Sequence, residues 1–205
     1  LNIEILISFS FAVFALAISP GPDNIFVLVQ SIRFGKKPAL AVVAGLMTGC
    51  LIHTSLIAFG VSLLIVKNEI LFTVLKIFGA GYLLFLAYKV FKSSGSIEFE
   101  AKNLRARPIA KLFRQGFIMN VLNPKVSLFF LALFPGFLFA ENLSETIQFF
   151  ILGGLFILVS FIVFGSIALL AGSLKSYIEK HPKSGLFLKW LQIVVFIGIA
   201  VFILV

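Results

Sequence analysis

From Ala39 to Val66 the chain reads "ALAVVAGLMTGCLIHTSLIAFGVSLLIV", without one Asp, Glu, Lys or Arg. About 20 mainly apolar residues in a helix are enough to cross the ~30 Å hydrocarbon core of a bilayer. Five further stretches meet the same criterion. They lie at about 3–30, broken by "SPGP"; about 70–91, carrying Lys76 and Lys89; about 115–139, interrupted by "NPK"; about 145–172; and about 188–205. Of 205 residues, 60% are hydrophobic and 12% charged, against about 45–50% and about 25% in soluble domains. The 26 Phe are spread along the whole chain, so no part reads as a soluble domain. The sequence therefore predicts an all-α integral membrane protein with six transmembrane helices.

The net charge of +9 does not point to nucleic acid, because the basic residues lie between apolar runs and form no single stripe. The first loop holds Arg33, Lys36 and Lys37, whereas the second balances Lys67 with Glu69. The long third segment holds Lys89, Lys92, Lys102, Arg105, Arg107, Lys111 and Arg114. The loop from Phe139 to Glu145 has no base, and the last loop has Lys175, Lys180, Lys183 and Lys189. Alternate loops are basic, as the positive-inside rule requires, which sends them to the cytoplasm and both termini outside. "ALA" at Ala15 to Ala17 mimics a leader cleavage site, but the residues before the apolar run include Glu4 and no base. Residues 5–19 are therefore expected to be a retained span.

A single cysteine, Cys50, excludes an intramolecular disulfide and a Cys-rich metal site. The chain has only two His; no metal and no cofactor is expected. No phosphate-binding Gly-Lys-Ser/Thr run occurs, so the chain does not read as an ATPase. Ser, His and Asp are present, but no nucleophile–base pair is suggested by spacing, and an enzyme is not expected.

The two interruptions carry the chemistry. In "SPGPDN" Pro20 and Pro22 lack N–H groups and disfavour helix just before them. Pro is accepted in the first turn of a helix, so one half-helix can end here and another begin near Pro22. Carbonyls freed by such a break must find partners within the protein or in a wet cavity. The new N-terminus presents free N–H groups and a positive dipole end, suited to a carboxylate. Gly21 and Asn24 complete the segment.

"NVLNPK" repeats the logic, with Asn123 as N-cap, Pro124 at the first helical position and Asn120 three residues earlier. Lys125 falls in the first turn, where the dipole disfavours a cation. It could pair with Asp23, bind a carboxylate, or sit near a cytoplasmic vestibule. Asp23 is the one acidic residue clearly inside an apolar segment, and an intramembrane acid by default marks function. It could hold a substrate ammonium, carry a coupling proton, or form a structural clasp with Lys125. His53, in the middle of the second span, could relay protons or serve structurally. "GLMTG", with Gly45 and Gly49, suits close helix packing, as does the Gly153–Gly154 pair.

Placing Pro22 on Pro124 puts Asp23 on Lys125 and brings the second span close to the fifth. With an odd number of spans in each half, this predicts a 3+3 inverted repeat with broken first and fourth helices, a transporter architecture. The single transmembrane domain, 1–205, would comprise a first repeat of about 1–91, a polar cytoplasmic connector of about 92–112, and a second repeat of about 113–205.

"SPGPDNIFVLVQSIRFGKKPALAVVAGLMTG" followed by "FRQGFIMNVLNPKVSLFFLALFPGF" resembles the LysE/RhtB amino-acid exporter family over essentially the whole chain. The resemblance implies a multi-pass transporter of the bacterial inner membrane that exports amino acids or related metabolites with the proton motive force. Its partners would be the lipid bilayer, an amino-acid substrate and protons, with a homodimer admissible and no nucleic acid. It implies site roles for Pro20, Gly21, Pro22, Asn120, Asn123, Pro124 and Lys125. Many relatives carry Gly-Asp in the second span, a few residues before a His; here Gly49 and Cys50 precede His53. Asp23 could supply the carboxylate missing there. The competing readings are a cation efflux protein, which the lack of Cys/His clusters disfavours for soft metals, and a membrane scaffold, which has no need of polar breaks at membrane depth.

Overall fold

The computed structural model describes residues 2–61, 69–93, 106–181 and 184–204. Among these the chain is all helical, with no strand. The "SPGP" break is where the prolines require it. Helix α1 (Ile3–Ile18) ends at Ser19, and α2 (Pro22–Phe34) starts with Pro22 in its first turn, at 61° to α1. The N–H of Gly35 closes α2 on the Ser31 carbonyl at 3.0 Å. Gly35 has φ +88°, a conformation a side chain would resist, and it lets α3 (Lys36–Leu56) leave in a new direction. A wider turn, Ile57–Val61, continues α3.

Helix α4 (Glu69–Lys92) covers the third apolar stretch. The second break separates α5 (Ile109–Val121) from α6 (Pro124–Leu133), which a tight turn extends to Phe137. The bend between them is 49°. Helices α7 (Glu145–Lys180) and α8 (Ser184–Leu204) complete the chain. The most polar part of the connector, and the "KNE" turn but for Glu69, lie outside the described residues. Two boundaries differ most from expectation. Helix α5 begins at Ile109 instead of about 115, and α7 runs to Lys180 instead of about 172. At 36 residues, α7 is about 54 Å long, more than the ~30 Å of hydrocarbon. Its apolar part, Glu145–Leu174, is the segment fit to cross a membrane.

Three segments, Lys36–Gly60, Glu145–Leu174 and Ser184–Leu204, are each long and apolar enough to cross a membrane. The two bent pairs raise the number to as many as five. Large apolar side chains stay exposed along these helices, among them Phe11, Leu56 and Phe187. Such surfaces are admissible where lipid is the solvent.

Glycines set the closest approach. A Cβ on Gly45 would strike the Phe113 carbonyl, and one on Gly116 would strike the Val42 carbonyl. Backbones of α3 and α5 therefore touch, as "GLMTG" suggested. Gly153 of α7 fits against Thr54 of α3, whereas Gly154 faces open space. Helix α4 packs along α8 and, through Gly79 against Ala132, on α6. A phenylalanine core joins α1, α6 and α7: the Phe9 and Phe134 rings meet edge-on at 5.1 Å, and Phe130 stacks on Phe134 at 4.1 Å. Gln148 staples the following turn, accepting from the N–H groups of Phe139 and Ala140 and donating to the carbonyls of Ala140 and Leu143.

Candidate functional site

The two breaks face each other. Pro22 and Pro124 both occupy a first helical turn, so Asp23 and Lys125 hold equivalent positions in α2 and α6. Asn123 caps α6 with its Oδ1, which accepts from the Lys125 N–H at 3.0 Å. Its Nδ2 donates to Asp23 Oδ2 at 2.6 Å. One side chain thus closes its own helix and ties the second break to the first.

The odd position of Lys125 has a structural reason. Its ammonium reaches across to the end of α1 and donates to the carbonyls of Leu16 at 2.7 Å and Ser19 at 3.0 Å. A cation at a helix C-terminus has the favourable sign of dipole interaction, and these are carbonyls that breaking the helix sets free. Asn24 Nδ2 serves another, the Ala17 carbonyl, at 2.7 Å. The Ser19 N–H takes that of Ala15 at 3.2 Å. The carbonyls of Ala15, Leu16, Ala17 and Ser19 at the end of α1 are thus met from within its own break and from the opposite one. Of the three roles open to Lys125 in the sequence, a direct ion pair with Asp23 is not the one its hydrogen bonds show.

A cavity of about 30 Å³ lies between the breaks. Its walls include Leu16, Ala17, Gly21, Asp23 and Asn24 from the first break, and Asn120, Asn123, Lys125 and Val126 from the second. Met47 and Cys50 of α3 and Phe156, Ser160 and Phe164 of α7 close it. Asp23 is 6% exposed and Asn120 4%. Asn120 Nδ2 donates to Cys50 Sγ at 3.4 Å, while its Oδ1 has no partner among the described residues. A volume of this size holds a water or two, far below the roughly 300–1,000 Å³ of small-molecule pockets. The site is shut.

The cavity gathers Gly21, Asp23, Asn24, Asn120, Asn123 and Lys125 of the expected residues; Pro22 and Pro124 shape its rims. Pro20 does not line it. It borders a separate apolar groove of about 370 Å³ between α1–α2 and α7–α8. His53 is buried beside the cavity, not in its wall. Its Nε2 donates to the Asn120 carbonyl at 3.2 Å, and its ring lies 5.3 Å from that of Phe130. Sequence reasoning overlooked Met47 and the α7 wall. Phe156, Ser160 and Phe164 recur at a spacing of four, one face of a helix, and a serine there was a readable signal.

Broken helices around a buried polar cavity in an apolar helical bundle define a multi-pass membrane protein with an internal site between its paired breaks. A family model, LysE type translocator, matches residues 14–205. The chain belongs to that family. It is 34% identical to the homoserine/homoserine lactone efflux protein of Salmonella typhi over 168 residues, 82% of this chain and 80% of that protein. Over 141 residues it is 36% identical to the membrane protein YrhP of Bacillus subtilis, 65% of this chain and 66% of that protein. The leucine efflux protein of Salmonella typhimurium is 29% identical over 168 residues, 82% and 79% of the two chains. No solved structure matches.

Proposed function

We propose that this chain is a secondary transporter that exports amino acids or closely related small metabolites across the bacterial inner membrane. The observation that carries the reading is the small cavity lined by Asp23, Asn120, Asn123 and Lys125 between two facing helix breaks. Polar groups at such depth are costly and belong to a substrate or ion path. The relatives' names, homoserine, homoserine lactone and leucine efflux, supply the substrate class.

The reading includes a 3+3 inverted repeat of six spans, with repeats of about 1–91 and 113–205 around a cytoplasmic connector and both termini outside. Equivalent prolines at the two breaks and the packing of α3 on α7 and α4 on α8 support the repeat. The alternation of basic loops supports the orientation. Transport follows by parting the breaks. Asp23, Asn24, Asn120, Asn123 and Lys125 bind, and Pro20, Gly21, Pro22 and Pro124 form the hinges. Protons drive export, and His53 is linked to the site through the Asn120 carbonyl. A homodimer is compatible with this scheme.

The test is counterflow in proteoliposomes with labelled homoserine, leucine and a panel of other amino acids, with and without an imposed pH gradient. Flux that grows with the gradient is expected. No flux of any amino acid under either condition refutes the proposal.

A further inference from the structure

The apolar groove of about 370 Å³ runs beside the small cavity. Its size falls within the roughly 300–1,000 Å³ of small-molecule pockets, which the cavity of about 30 Å³ does not reach. The partition between the two is thin. Among the described residues, Asn24 is the one side chain that borders both. Along the first break, Ala17 and Gly21 border the cavity, while their neighbours Ile18 and Pro20 border the groove. In α7 the same split falls between Phe164 and Val163. Apart from Asn24 and Ser166, the described lining of the groove is apolar. The bond from Asn24 Nδ2 to the Ala17 carbonyl, 2.7 Å, draws this side chain across the break. Gly21 places no side chain against it: a Cβ there would have Asn24 Oδ1 as its neighbour at 3.7 Å.

We infer that the groove is the subsite for the substrate's side chain, and that Asn24 is the latch between this subsite and the polar cavity. This deepens the export reading and rests on it. The Asn24 carboxamide turns aside by rotation about its own side-chain bonds, and the cavity then runs into the groove. The amino and carboxyl groups of an amino acid lie among the polar side chains of the two breaks. Its aliphatic chain lies against Leu28, Val163 and Ile167. The occupant follows from this continuity: a polar void and an apolar one that share a single boundary residue match a molecule with a polar head and an apolar chain joined at one carbon. Ile162 and Leu170, at the mouth of the groove, are 57% and 55% exposed, on a surface where lipid is the solvent. A side chain seated there leaves water on every side. The ligand class is therefore α-amino acids with aliphatic side chains, held more tightly the more carbon they place in the groove.

The test uses the purified full chain in phosphatidylcholine nanodiscs, where no detergent competes for the groove. Thermal stabilisation is titrated with alanine, 2-aminobutyrate, norvaline and norleucine, which share one polar head and differ only in methylenes. Affinity should rise roughly three- to four-fold with each added methylene, the worth of its burial. Ser166→Trp, at an exposed position in the groove, should fill it and flatten the series. Leu169→Trp, exposed on α7 and bordering neither void, should keep the wild-type slope. The wild-type series decides the question even if Ser166→Trp fails to fold. Affinity independent of side-chain length, an unchanged slope in Ser166→Trp, or stabilisation by none of the four overturns the assignment. A flat series together with stabilisation by added phosphatidylglycerol that Ser166→Trp abolishes gives the groove to a lipid chain, and likewise overturns it. Amino-acid flux in liposomes beside any of those results leaves export standing and removes only the side-chain subsite. Absence of all flux refutes export, and the subsite falls with it.

Discussion

Replacing Lys125 by Met tests the contact that organises both breaks. The variant keeps most of the aliphatic length and removes the ammonium that serves the Leu16 and Ser19 carbonyls. A hydrogen bond to a charged group contributes about 1.5–3 kcal/mol, so two amount to roughly 3–6 kcal/mol gross. Met also removes the cost of holding a partly buried ammonium, which offsets part of this. The expected net loss is about 2–3 kcal/mol. Lys111, exposed near the start of α5, is the control, and its change to Met should stay within about 0.5 kcal/mol. Unfolding of the three proteins in one detergent, followed by tryptophan emission and by proteolysis, measures the difference. Lysine 125 to arginine should fall between, because the guanidinium keeps the charge but not the compact three-donor head. If Lys125→Met unfolds alongside Lys111→Met, the ammonium does not hold the end of α1, and the account of its position is wrong.

Four further outcomes follow from particular contacts. Gly45→Ala or Gly116→Ala forces α3 from α5, because each Cβ meets a backbone carbonyl, and should cost at least the ~1–3 kcal/mol of overpacking in the same unfolding assay. Gly154→Ala, facing open space, should be neutral or slightly stabilising through helix propensity. Asn123→Ala removes the α6 cap and the tie to Asp23 together, so a loss above the ~1 kcal/mol typical of a cap is expected, and a double-mutant cycle with Asp23→Asn should show coupling. Cys50 is the chain's one thiol and lies in the cavity wall: maleimide should label it slowly at rest and faster during amino-acid flux, and an unchanged rate would argue against opening at this cavity.

The sequence by itself determined the solvent of this protein and the places where its helices break. Apolar runs such as 39–66 have no stable arrangement in water, and "SPGP" and "NPK" interrupt helices by local covalent geometry, which needs no tertiary context. Gly45 and Gly49 were legible as a packing face for the same reason: absence of a side chain is a property of the residue. The partners of Lys125 were not legible. Local rules place a cation unfavourably in the first turn of α6, and only the approach of the α1 terminus, more than a hundred residues earlier in the chain, turns it into a cap on freed carbonyls. His53 and Cys50, three residues apart in sequence, likewise separate into a buried neighbour and a cavity wall. The tertiary structure also chose α7 as the far wall, bringing Ser160 to the cavity that Asp23 lines. Which side chains share a cavity is settled by packing in three dimensions, not by spacing along the chain.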